Sequence, residues 1–134
     1  MTRVFLDTAV LALAVGGDHP LRAACRSYLH RAERGELEVH VSVEALQELL
    51  FHRMRRGERG DAVALVRDVR DLCHVHAFDD TVVLRMLDLV GESSLGGRDA
   101  VHAATALVAG FVEIVTPDAD FDGVPGLRRR APGA

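Results

Sequence analysis

The 134 residues make one domain's worth of chain, long enough to bury about two-thirds of its surface. The composition is 49% hydrophobic but only 4% aromatic, so the core must be built from Ala, Val and Leu, which suits helices packed on a parallel sheet. A formal net charge of -4 excludes a protein that holds nucleic acid by global charge alone, and the early apolar run Ala9 to Val15 falls far short of the ~20 residues of a membrane span.

Arg3-Val4-Phe5-Leu6-Asp7 reads as a short buried strand ending at a carboxylate. Thr8 to Val15 follows as a short helix, closed by Gly16-Gly17. His19-Pro20 opens a helix to about Gly35, with Leu21, Ala24, Cys25, Tyr28 and Leu29 on one face. The alternation from Leu37 to Val41 predicts a second strand, and Ser42 is placed to N-cap a helix from Val43 to about Arg56. Past Gly57 and Gly60, Asp61 to Leu72 is a helix, Val75 to Phe78 a short strand and Asp80 to about Gly91 another helix. Gly96-Gly97 precedes a helix from Asp99 to about Ala109 that is apolar nearly all round, the mark of burial on several sides. Phe111 to Val115 is a strand, Thr116-Pro117-Asp118 a turn, and Leu127 to Arg130 an edge strand before a tail of Ala, Pro and Gly. Asp7 interrupts the first apolar run and no small-residue cleavage site follows it, so no secretory signal is expected; Cys25 and Cys73 read as buried, reduced thiols of a cytoplasmic protein.

Strands alternating with helices point to an α/β domain with a mainly parallel sheet, where sites form beyond the carboxyl ends of the strands. Asp7 and Asp118 each follow a predicted strand directly, and Asp99 opens the buried helix. Each has an ordinary explanation alone: a helix cap for Asp7, a dipole partner for Asp99, turn residues for Asp118, Asp120 and Asp122. Together they are carboxylates that a parallel sheet would gather, and crowded carboxylates repel unless a cation joins them. Such hard oxygen donors suit Mg²⁺ or Mn²⁺. Glu44 and Glu48 lie one turn apart on the same helix face, and helical periodicity does not choose between them.

Other signatures are missing. No Gly-Lys-Ser or Gly-Lys-Thr follows Gly96-Gly97, no Gly-x-Ser-x-Gly elbow occurs, and no Cys or His pair has the spacing of a zinc site. His102, one turn after Asp99, is within reach of the site but reads rather as a packed helical histidine. Every basic side chain outside the histidines is Arg, and the runs Arg53, Arg55, Arg56, Arg59 and Arg128-Arg129-Arg130 read as solvated ends or as contacts to an RNA backbone or a partner.

Four segments in order resemble the successive motifs of PIN domains: Val4-Phe5-Leu6-Asp7-Thr8; Ser42 with Glu48-Leu49-Leu50; Asp99-Ala100-Val101-His102-Ala103-Ala104; and Thr116-Pro117-Asp118-Ala119-Asp120-Phe121. Their order, spacing and the total length are most similar to VapC-type toxins of toxin–antitoxin modules. The resemblance implies a single PIN-like domain over 1–134, with 130–134 as a flexible tail, and a three-layer α/β/α fold around a mainly parallel sheet. It further implies an endoribonuclease using Mg²⁺ or Mn²⁺, often a homodimer, inhibited by a VapB-like antitoxin. Asp7, Asp99 and Asp118 match the family's metal-binding acidic positions, and Glu48 matches the remaining one, which selects it over Glu44. Thr8, Ser42 and Thr116 are then expected as hydroxyl partners of those carboxylates. The expected chemistry is metal-assisted hydrolysis of RNA, with Glu48 orienting water or acting as base; a non-catalytic RNA- or protein-binding module is the alternative.

Overall fold

Alternation along the first strand decides the layering. In the computed structural model, which describes residues 1–134, Val4 and Leu6 join the core on one side of the sheet and Phe5 the core on the other. The strands are β1 (Thr2–Phe5), β2 (Leu37–Ser42), β3 (Cys73–His76), β4 (Glu113–Val115) and β5 (Arg128–Arg130). β1 pairs with β2, β2 with β3 and β4 with β5, every pair parallel. One bridge, Leu6 with Val115, joins the two groups, and just beyond it the Asp7 N–H donates to the Val115 carbonyl at 3.0 Å. The lateral order is therefore β3-β2-β1-β4-β5. The winding reverses between β1 and β4, the position at which open parallel sheets leave a crevice for ligands.

The helices are α1 (Thr8–Val15), α2 (Arg22–Glu33), α3 (Val43–Arg56), α4 (Arg59–Leu72), α5 (Asp80–Glu92) and α6 (Gly97–Val108). Helices α1 to α4 supply one core with Val39, Val41 and Val115 of the sheet; α5 and α6 supply the other with Ile114 and Phe121. The result is the expected three-layer α/β/α arrangement. Ala100, Ala103, Ala104 and Ala106 are fully buried, and their small side chains let α6 lie close to the sheet.

A side-chain cap moves the start of α4, and another fixes α5 at its expected start. Helix α4 begins at Arg59 because the Glu58 carboxylate accepts from the Gly60 and Asp61 amides, and α5 is started by Asp79, which accepts from Val82 N–H at 3.0 Å. The third strand spans Cys73–His76 rather than Val75 to Phe78, since α4 runs directly into it at Cys73. Strand β4 is shorter than Phe111 to Val115. Phe111 N–H still closes the end of α6 on the Ala106 carbonyl, across Gly110 in the left-handed region (φ 89°). After β5, residues 131–134 form a turn in which Pro132 is buried and the Arg130 guanidinium donates to the Ala134 carbonyl at 2.6 Å. Both cysteines are free thiols; burial pushes that of Cys73 up to about 12.

On the Phe5 side of the sheet, β2 and β3 carry polar side chains where aliphatic ones would be expected: Glu38, His40 and Ser42 on one, His74 and His76 on the other. Burial, with Arg3 and His74 nearby, holds the His40 and His76 imidazoles below their ordinary range, although the Glu38 hydrogen bond opposes this at His40.

Candidate active site

Asp7 occupies the N-cap position of α1 yet makes no side-chain bond to that helix. Its Oδ2 accepts instead from the Thr116 hydroxyl at 2.9 Å, and Thr116 Oγ1 accepts from the Asp118 amide at 3.1 Å. One buried threonine thus ties the carboxyl ends of β1 and β4 together. Asp118 does cap: its Oδ1 accepts from Asp120 N–H at 2.9 Å, starting the 3-10 turn Ala119–Phe121. That turn carries Asp120 toward α6, where Asp99 sits in the first helical turn. Carboxylate oxygens of Asp99, Asp118 and Asp120 lie within 4.8 Å of one another. Asp122 is instead paired with Arg129 at 2.8 Å.

Glu48 reaches the same edge from α3. Its Oε1 accepts from His102 Nε2 at 2.5 Å and its Oε2 from Arg98 at 3.2 Å. His102 is fully buried, and its Nδ1 lies 2.7 Å from Ser42 Oγ, the atom that also caps α3 through the Ala45 amide. The packed helical histidine expected at this position is therefore a member of the polar site. The available signal was its spacing, one turn after Asp99 on the same helical face. Of the expected hydroxyl partners, Thr116 binds Asp7, Thr8 donates to Glu48 at 3.5 Å, and Ser42 serves His102 rather than a carboxylate. Glu44 and Glu48 line a neighbouring cleft of about 480 Å³ with Phe78, Met86, Arg98 and Val101, beside the Asp cluster rather than around it.

Electrostatics divide the site in two. Burial raises Asp7 above the usual carboxylate range, with the Asp99 charge adding to it and His102 and Thr116 opposing. Burial also raises Asp99, reinforced by the Asp118 charge. These carboxylates lack an adequate cation within the chain. Glu48 is the opposite case: burial pushes it up, but the hydrogen bond and charge of His102, then Arg98, bring it below the usual range. For His102, burial disfavours the imidazolium, yet Glu48, Asp7 and Asp99 together outweigh it and raise the group. Ionisation of Glu48 and protonation of His102 thus favour each other, and in the imidazolium form Nδ1 donates to Ser42 Oγ. The donor set left over is all oxygen and short of positive charge, which fits a divalent metal ion.

The chain belongs to the PIN-domain family, whose model, described as "PIN domain", matches residues 4–127. It is 32% identical over 121 residues to "Ribonuclease VapC7" of Mycobacterium tuberculosis, covering 88% of this chain and 83% of that protein. It is 33% identical over 118 residues to "Ribonuclease VapC23" of the same species, covering 86% and 92%. At that identity and coverage it is a VapC-type member of the family. Among solved structures, VapBC2 from Rickettsia felis, bound to a DNA fragment from its promoter, superposes with a TM-score of 0.77 at 15% identity, covering 97% of this chain and 98% of that one; this likeness is one of fold.

Proposed function

We propose that the chain is the ribonuclease toxin of a toxin–antitoxin pair, a single PIN domain that hydrolyses RNA phosphodiester bonds with Mg²⁺ or Mn²⁺ held by Asp7, Asp99 and Asp118. The observation that carries this reading is the meeting of Asp99, Asp118 and Asp120 at the switch point of the sheet, with the buried Asp7 at the end of the neighbouring strand, in a VapC-type chain. Asp120, within reach of Asp99 and Asp118, joins them as a further ligand. Bound there, a divalent ion supplies Lewis acidity toward a phosphate oxygen and activates water.

The chain's own residues do the rest. Thr116 aims the Asp7 carboxylate, and Glu48, committed to His102 and Arg98 and held below the usual carboxylate range, orients water rather than taking its proton. Arg98, largely exposed at the start of α6, presents its free donors to the RNA backbone beside the cleft. A VapB-like antitoxin and a second copy of the chain are the partners this reading implies. No helix is long and apolar enough to cross a membrane, and cytoplasmic action on RNA follows from the same reading.

The test is an Asp99→Asn variant, purified and checked for native circular dichroism, assayed on total RNA with Mg²⁺ or Mn²⁺. Cleavage is expected to vanish. Undiminished metal-dependent cleavage would overturn the assignment.

A further inference from the structure

The sheet holds a second concentration of ligating groups, built from residues the catalytic reading does not use. Glu38 and His40 alternate on β2, and His74 and His76 alternate on β3, so each pair shares a face. The register sets His40 beside His74 and Ser42 beside His76. Two short repeats on adjacent parallel strands therefore gather one carboxylate and three imidazoles into a patch. Glu38 Oε1 lies 3.1 Å from His40 Nε2 and 4.0 Å from His74 Nε2, and the three donor atoms are all within 4.8 Å of one another. The His40 and His74 rings stack with centroids 4.6 Å apart. His40 is buried, whereas the His74 side chain is 57% exposed, so the patch opens to solvent on one side.

We propose that Glu38, His40 and His74 form a second cation site, taking a borderline transition metal of the Zn²⁺ type, with His76 as the outer partner of His40 and the remaining coordination position open to water. Around a tetrahedral ion with bonds of ~2.0–2.1 Å, neighbouring donors stand ~3.4 Å apart. The 3.1 Å separation is close to that and the 4.0 Å one is wider; ligation turns the exposed His74 ring out of its stack on His40, 13° from parallel, so that both ring planes meet at the ion. Two imidazoles and one carboxylate favour Zn²⁺, Ni²⁺ or Cu²⁺ over Mg²⁺, in contrast to the all-oxygen cluster at the strand ends. The site also has its supporting shell: His40 Nδ1 is 2.8 Å from His76 Nε2. Ligation through His40 Nε2 requires the ring proton on Nδ1, and His76 is placed to accept it.

Arg3 is the built-in competitor. Its Nε stands 3.5 Å from His40 Nε2 and 3.8 Å from Glu38 Oε1, with the guanidinium 4.7 Å above the Phe111 ring. It supplies the positive charge that an ion would bring, and its half-exposed side chain is free to withdraw. Arg3 and the metal are therefore mutually exclusive neighbours of Glu38. Linear spacing shows none of this, because the two His-containing repeats lie on different strands and meet only through the parallel register.

The experiment titrates the full-length, tag-free chain carrying Asp99→Asn with Co²⁺, read by visible absorption, and with Zn²⁺, read by calorimetry, in a large excess of Mg²⁺. One equivalent is expected to bind, with Zn²⁺ displacing Co²⁺. His74→Ala and Glu38→Gln, both at solvent-accessible positions, are expected to abolish uptake while circular dichroism stays native. His76→Ala should weaken uptake by ~10–100-fold, and Arg3→Gln should tighten it. Absence of Zn²⁺ uptake in the Asp99→Asn chain, or unchanged uptake in His74→Ala, overturns the proposal. Neither outcome touches the ribonuclease assignment, which is read by RNA cleavage.

Discussion

Asp7 illustrates a carboxylate kept at a thermodynamic disadvantage. Because burial raises it in the folded state, folding favours its protonated form, and the penalty of the ionised form grows as pH rises above the ordinary carboxylate value of ~3.9. Asp7→Asn removes that penalty and keeps an acceptor for Thr116. In EDTA at pH 7 the variant is expected to melt higher than the parent by ~3–5 °C, equivalent to ~1 kcal/mol, with the difference shrinking toward pH 4 while RNA cleavage is lost. A lower melting temperature for Asp7→Asn across that range would show that the carboxylate stabilises the metal-free fold. The His102–Glu48 pair behaves in the opposite sense. Glu48 is lowered, so its contribution is present above ~4.3 and lost as pH falls through its folded value; His102 is raised, so its contribution is present below ~6.5 and lost as pH climbs past its folded value. His102→Ala leaves Glu48 without its nearest cation and is expected to cost ~3 kcal/mol in urea unfolding at pH 6, with a smaller loss at pH 3. Equal losses at the two pH values would mean that packing, not pairing, sets the effect.

Among the elements, the helix starts carry much of the site. Ser42 ends β2, caps α3 through Ala45 and anchors His102, so a single hydroxyl sets both the origin of the helix bearing Glu48 and the ring that Glu48 grips. Asp79 caps α5 by the same bond geometry but hydrogen-bonds none of the site residues. Ser42→Ala and Asp79→Ala should each lose ~1 kcal/mol for the cap. Only Ser42→Ala should also depress RNA cleavage, since only there does the loss release His102. Similar activity in the two variants would detach Ser42 from the catalytic apparatus. The elements are also where the sequence was most legible. Strand alternation, the Ser42 cap and the all-round apolar helix announced α3, α6 and the ends of β1 and β4, because those signals are local. Asp120 and His102 were not separable from their neighbours, since what distinguishes them is contact across the fold. His102 meets Glu48 from 54 residues away, and Asp122 differs from Asp120 only through its pairing with Arg129.

At the scale of the molecule, a fold that gathers carboxylates at one end of its sheet should be stabilised by binding a divalent ion there. Mn²⁺ or Mg²⁺ at ~100 times its dissociation constant adds ~2.7 kcal/mol to the folded state. The resulting rise in melting temperature should be larger at pH 7 than at pH 5, because Asp7 and Asp99 must give up their protons to bind. Asp99→Asn should largely remove the shift; a full shift in that variant would locate the ion elsewhere.

The sheet itself is two half-sheets meeting at the Leu6–Val115 bridge, with the Asp7 amide bonded just beyond it. Toward the other end the halves part around a gap of about 230 Å³ lined by Arg3, Phe5, Phe111 and Val112. Such a sheet is a lever whose fulcrum coincides with its chemistry. Rocking one half against the other displaces the amino ends of the strands most and the spacing of Asp7 from the Asp118 turn least. At that end the Leu6–Val115 rung, the Asp7 amide and the Thr116 hydroxyl all tie the two halves together beside the carboxylates.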